Sequence, residues 1–171
     1  LEARGAAIKV FPAGTSADEI LGWRPDGVCL SNGPGDPRDC PEGIAVVREL
    51  VGKVPIFGIC LGNQLTGLAL GADVFKLKYG HRGVNHPVVD LDTGRVHITS
   101  QNHGYALIED QVRRVGLEVW FKNLNDGTVE GVRSRKLKVM CVQFHPEGRP
   151  GPRDTGYLFD RFIQMMSEAG S

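Results

Sequence analysis

Short apolar runs alternate with amphipathic stretches through the first part of the chain. Residues 6–11 read as a strand, and Ser16 is placed to cap a helix running to Leu21, with Asp18 and Glu19 in its first turn. Gly27-Val28-Cys29-Leu30 is a second strand, ending in the turn-rich Ser31-Asn32-Gly33-Pro34-Gly35-Asp36-Pro37. Over residues 41–51 the apolar Ile44, Val47 and Leu50 share one helical face; residues 54–59 form a third strand and 61–70 a mostly apolar helix. Strands and helices alternating at this spacing predict βαβ units and a buried, mostly parallel sheet. After Gly71 the pattern shifts to short β-prone runs at 74–77, 96–99, 118–122, 128–132 and 139–144. Residues 156–166 close the chain as a helix with Leu158, Phe159, Phe162, Ile163 and Met166 on one face. No repeat, low-complexity tract or long linker divides it, so one domain over residues 1–171 is expected.

Composition changes this picture in two places. Glycine supplies 23 of the 171 residues, about twice its usual share, so many backbone positions need positive φ or close approach by another group. The 20 basic and 20 acidic side chains cancel, which gives no field for gathering nucleic acid or an anionic membrane. No apolar run is long enough to span a bilayer, and no basic-then-apolar leader is present. Leu1-Glu2-Ala3-Arg4-Gly5 reads as the end of a helix, which suggests a piece of a longer protein. The four cysteines, Cys29, Cys40, Cys60 and Cys141, show neither CxxC pairs nor finger spacing, so reduced thiols in a cytoplasmic protein are expected. Five histidines show no HExxH or clustered ligand spacing, and no metal site is expected.

The sharpest local signal is Gly58-Ile59-Cys60-Leu61-Gly62, where a strand runs straight into a helix. This is the nucleophile elbow with sulfur in place of hydroxyl. Glycines two residues either side allow the sharp turn, and a helix N-terminus favours a thiolate. The amide of Leu61, next after the thiol, is the expected oxyanion donor. A base is offered by Phe144-His145-Pro146-Glu147 at the end of an apolar run. Pro146 keeps His145 extended, and side chains two apart on an extended segment point the same way, so Glu147 can accept from the imidazole. Separately, these are a buried cysteine and a His-Pro turn; together, a Cys60–His145–Glu147 triad explains both. In Gly33-Pro34-Gly35, Pro34 has no N–H, so a second oxyanion donor falls to Gly33 or Gly35. A phosphate cradle is the rival reading of that loop, but no GxGxxG or GxxxxGK[ST] pattern is present. Gln101-Asn102-His103-Gly104-Tyr105 groups polar side chains and a glycine suited to hold an amino acid, or forms a plain turn.

Taken in order, these segments resemble the class I (triad) glutamine amidotransferase domains. Within that family they are most similar to the glutaminase domain of carbamoyl-phosphate synthetases, a likeness carried also by Tyr79-Gly80-His81-Arg82-Gly83-Val84-Asn85-His86-Pro87 and Gly151-Pro152-Arg153-Asp154-Thr155. The resemblance implies a three-layer α/β fold. It implies Cys60 as nucleophile, His145 as acid and base, and Glu147 as its orienting partner. Glutamine contacts would fall on Gly33, Gly35, Leu61, Gln64, Asn102, Gly104 and Tyr105. It further implies L-glutamine as substrate and no cofactor in this chain. Ammonia would pass to the large subunit of a synthetase, where ATP and Mg²⁺ drive carbamoyl phosphate synthesis for arginine and pyrimidines. The family domain opens with a further strand and most of a helix before the position of Leu1, and the small chain carries a preceding N-terminal domain, so an N-terminally truncated domain is expected. Asn63 stands where the family commonly has His. The alternatives are a weak or silent domain that binds the same synthetase, another class I glutaminase, or a cysteine peptidase on the same fold; the last is disfavoured by the glutamine-pocket segments.

Overall fold

A computed structural model describes residues 1–149 and 151–169. Pro150, Gly170 and Ser171, which the expected domain span includes, lie outside the described residues. Seven strands form one sheet: β1 (Val28–Leu30), β2 (Ile56–Ile59), β3 (Val74–Asp90), β4 (Val96–Leu107), β5 (Glu118–Asn123), β6 (Val129–Ser134) and β7 (Val139–Val142), in the order β1-β2-β7-β6-β5-β3-β4. The helices are α1 (Ala17–Gly22), α2 (Pro41–Leu50), α3 (Leu61–Leu70), α4 (Glu109–Arg114) and α5 (Tyr157–Ala169).

The expectation of an α/β fold holds, but the mostly parallel sheet does not. Only β1–β2 and β2–β7 run parallel; β7–β6, β6–β5, β5–β3 and β3–β4 are all antiparallel. The β1–β2 pair is joined through α2; after Gly71 the β3–β4, β5–β6 and β6–β7 pairs are hairpins, where turns replace crossover helices, and β5 reaches β3 by way of β4 and α4.

A second correction concerns residues 6–11, which form no strand. Val10 and Ile8 face outward, at 86% and 55% exposure, while Phe11 packs against the core, and no described strand lies beside the segment to accept a ladder. An extended segment gains little without a partner for its N–H and C=O groups. The expected helix ending at the N-terminus fares better: Glu2–Arg4 form a 3-10 turn capped by Gly5 at φ 83, a left-handed helix ending. Arg4 then pairs with Asp160 at 2.6 Å, tying this turn to α5. Ser16 caps α1 as expected, its Oγ accepting from the Glu19 N–H.

Alternation along the central strands separates two apolar cores, one on each face of the sheet. Ile56, Val139, Cys141 and Val132 face one way, against Ala17 and Ile20 of α1, Leu50 of α2 and Val112 of α4. Phe57, Met140, Val142 and Trp120 face the other way, against Leu158 and Phe162 of α5. β2 and β7 are buried on both faces, which is why they read as unbroken apolar runs.

Candidate active site

Cys60 sits where β2 ends and α3 begins. Its backbone takes φ 54 and ψ −102, a region that side chains rarely occupy. Three bonds hold it there: its N–H donates to Val142 O at 2.8 Å, and its carbonyl accepts from Asn63 and Gln64 at 3.1 and 3.2 Å. The flanking glycines are steric necessities. A Cβ on Gly62 would stand 2.5 Å from Leu30 O, and one on Gly58 would stand 2.7 Å from the Gly62 backbone. This tight crossing of backbones presses α3 onto β1 and points the residue between them out of the strand.

His145 follows β7, and its own N–H is fixed by donation to Ser100 O of β4 at 2.9 Å. The Glu147 carboxylate lies 2.7 Å from His145 Nδ1. The other ring nitrogen, Nε2, is buried with no oxygen or nitrogen partner. Cys60 beside the ring and Glu147 together push the imidazole up to about 10, outweighing the opposing effect of burial. The sequence-expected trio is therefore brought together from β2, β7 and the loop beyond it.

A cavity of about 390 Å³ opens over Cys60 and His145. Gly33, Gly35, Gln64, Asn102, Gly104 and Tyr105, six of the seven residues the resemblance gives as glutamine contacts, line it. Leu61 does not: its side chain turns under the glycine loop, where a Cβ on Gly33 would stand 2.5 Å from Leu61 Cδ2. Its part is thereby confined to the amide at the start of α3. Gly35 adopts φ 93, a left-handed conformation that gives the loop its bend.

Two clamps shape the walls. Both amide N–H groups of Gln64 are used, on Tyr105 O and Gln143 Oε1 at 3.0 Å each, so a carbonyl oxygen is what this side chain offers a ligand. Asp36 caps the short turn Pro37–Asp39 and receives Arg38 Nη2 at 2.8 Å, which holds its carboxyl well below the usual carboxylate range. Arg38 in turn lies over the Tyr105 ring at 5.8 Å, joining the glycine loop to β4. Asn63 is fully buried away from the cavity and donates to Gln143 Oε1 at 3.2 Å.

Arg82 and His103 also line the cavity, and sequence reasoning missed both as site residues. Arg82 Nη1 donates to Tyr79 O at 2.6 Å, and Nη2 is 3.7 Å from where a Gly104 Cβ would be. The signal was available in the Tyr79–Pro87 motif but needed the β3–β4 register, which sets Arg82 opposite Asn102.

The family model for "Glutamine amidotransferase class-I" matches residues 1–165. Curated relatives include the carbamoyl phosphate synthase small chains of Staphylococcus epidermidis, 56% identical over 168 residues, and of Methanopyrus kandleri, 57% identical over 168 residues. Each alignment covers 98% of this chain and 46% of the relative, so the chain spans about half the length of the curated relatives it matches. Among solved structures, a candidate GMP synthase component from Thermoplasma acidophilum superposes with TM-score 0.77 at 23% identity, covering 94% of this chain and 81% of that one. A glutamine amidotransferase of Thermotoga maritima gives TM-score 0.61 at 21% identity, covering 85% and 65%. At these identities the two structures speak for the fold.

Proposed function

Since the chain belongs to the class I glutamine amidotransferase family, we propose that it is the glutaminase domain of a carbamoyl-phosphate synthetase, hydrolysing L-glutamine and delivering ammonia to the synthetase's large subunit. The observation that carries this reading is the Cys60 elbow beside a carboxylate-held His145, both at the floor of a cavity walled by the glycine loop and β4. The named relatives supply the choice of synthetase.

In this reading Cys60 Sγ attacks the side-chain amide carbon of glutamine. The carbonyl oxygen becomes an oxyanion, held by the Leu61 amide at the α3 N-terminus and an amide of the glycine loop. A histidine whose proton is held up to about pH 10 is loaded to act as an acid. It gives that proton to the departing nitrogen, so ammonia leaves and a thioester remains. Water entering the vacated space loses a proton to His145 and attacks the thioester, releasing glutamate and restoring the thiolate. Glu147 holds the ring orientation through both steps. Asn102, Gly104, Tyr105 and the Gln64 carbonyl hold the amino-acid end, with Arg82 supplying a cationic partner for its carboxylate.

No cofactor in this chain takes part in the hydrolysis; ATP and Mg²⁺ belong to the large subunit. The workplace is the cytoplasm, which suits four unpaired cysteines. No described helix is long and apolar enough to cross a membrane.

The test mixes the protein with the large subunit of a synthetase and follows carbamoyl phosphate made from glutamine or from added ammonia. Cys60→Ser is expected to abolish the first and spare the second. Glutamine-dependent synthesis surviving without the thiol would overturn the mechanism.

A further inference from the structure

Beneath the cavity wall lies a second polar cluster that the hydrolysis does not use. His81 of β3 and His103 of β4 are register partners, and Glu130 of β6 reaches the same point. His81 Nδ1 is 3.2 Å from His103 Nε2 and 3.0 Å from Glu130 Oε1, and one ligand atom from each residue lies within 4.8 Å of the others. Glu130 is wholly buried, and its Oε2 has no hydrogen-bond partner.

The surrounding bonds fix which atoms carry hydrogen. His103 Nδ1 faces Tyr105 O at 2.8 Å, an acceptor only, so that nitrogen bears the proton and Nε2 of the neutral ring is a bare lone pair. Thr99 Oγ1 donates to His86 O at 2.8 Å, so it accepts from Gln101 Nε2 at 3.1 Å. The Gln101 amide is thereby oriented with Oε1 toward His103 Nε2, at 2.8 Å. On the outer side, His81 Nε2 stands 2.8 Å from Asp126 Oδ2 and donates to it, so Nδ1 of the neutral ring is a lone pair, whereas the imidazolium, which Glu130 and Asp126 favour, donates from Nδ1 to Glu130 Oε1. Two imidazole nitrogens and a buried carboxylate, whose Oε1 also accepts from Asn123 Nδ2 at 3.0 Å, thus lie together, with the Gln101 amide oxygen against His103 Nε2. A single proton on His81 Nδ1 answers one of these contacts; the His103–Gln101 contact and Glu130 Oε2 stay unanswered.

We propose that His81, His103 and Glu130, with Gln101, bind a divalent transition-metal ion, zinc by donor set, which pins β3, β4 and β6 together under the pocket wall. Tetrahedral zinc with Zn–N of 2.0–2.1 Å sets ligand atoms about 3.3 Å apart, close to the 3.2 Å between the two histidines. The neighbouring bonds supply the outer support of such sites, a carboxylate on one imidazole and a backbone carbonyl on the other. All four side chains sit on strands, so the donors are already in place. His103 also lines the cavity, and Asp126 is half exposed, which gives the ion a way in. Residue spacing holds little hint of this cluster, because only Gln101 and His103 are close in sequence, while His81 and Glu130 come from two other strands.

The experiment uses the full chain carrying Cys60→Ser, so that the thiol beside His145 offers no competing site. Chelator-stripped protein is titrated with Zn²⁺, and separately with Co²⁺ as a spectroscopic probe. One equivalent of zinc, a raised melting temperature, and cobalt ligand-field bands of tetrahedral intensity without thiolate charge transfer are expected. Glu130→Gln is expected to lose binding. Asp126→Asn, which alters only the outer support of His81, is expected to weaken it about 10–100-fold. Absence of stoichiometric zinc, an octahedral cobalt spectrum, or undiminished binding in Asp126→Asn would overturn the proposal. The cobalt spectrum and Asp126→Asn decide the matter even if Glu130→Gln fails to fold. Because every readout is binding or stability, failure here leaves the glutaminase reading untouched.

Discussion

At the scale of single residues, His145 concentrates the chemistry. Its pKa, raised from the ordinary 6.5 to about 10 by Cys60 and Glu147, couples proton transfer to stability. A group with a raised folded pKa stabilises the fold fully below its unfolded value, and that contribution fades as pH climbs through the folded value. The urea midpoint is therefore expected to fall between about pH 6.5 and pH 10. Glu147→Gln should shrink that fall, which paired denaturation curves at the two pH values will measure. The same substitution leaves the ring less firmly oriented and less basic. It should lower glutaminase kcat by about 10²-fold and move the alkaline limb of the pH–rate profile downward. The triad was legible because an elbow and a His-x-Glu pair are local patterns, with geometry that follows from spacing. Arg82 and His103 were not, because they reach the cavity only through the β3–β4 register, which local spacing does not give.

At the scale of elements, β2 and α3 cross β1 with no room between backbones. Gly62→Ala would drive a Cβ against Leu30 O, an atom that cannot swing aside, and is expected to cost about 3 kcal/mol. Thermal unfolding of the variant gives that figure directly, and little change in melting temperature would contradict it. The βαβ portion was readable as alternating apolar runs because β2 and β7 are buried on both faces. The β3–β4 hairpin was not. Val74–Asp90 looked like a four-residue strand at 74–77 because six of the thirteen residues that follow, including Tyr79, Arg82 and Val84, are exposed, and the run carries no apolar alternation. Residues 6–11 failed in the opposite sense: apolar residues in an extended segment promised a strand, but a strand also needs a neighbour.

At the scale of the whole molecule, two cores on opposite faces of one sheet share the burden of stability. Phe57 is fully buried against Phe159 and Phe162 of α5, with ring centroids at 5.6 and 5.5 Å. Phe57→Ala is expected to cost about 4 kcal/mol, and Val10→Ala, on the exposed N-terminal segment, less than about 0.5 kcal/mol. Chemical denaturation of the two variants tests whether the exposed part of this segment, around Ile8 and Val10, stands outside the cooperative core. The catalytic parts are divided across the same sheet. Cys60 is tied through its amide to β7, in the parallel region, whereas the amide of His145 hangs on Ser100 of the antiparallel hairpin. The backbone bond at Ser100 thus makes the seat of the base depend on the antiparallel hairpin, whereas the seat of the thiol rests within the parallel strands alone.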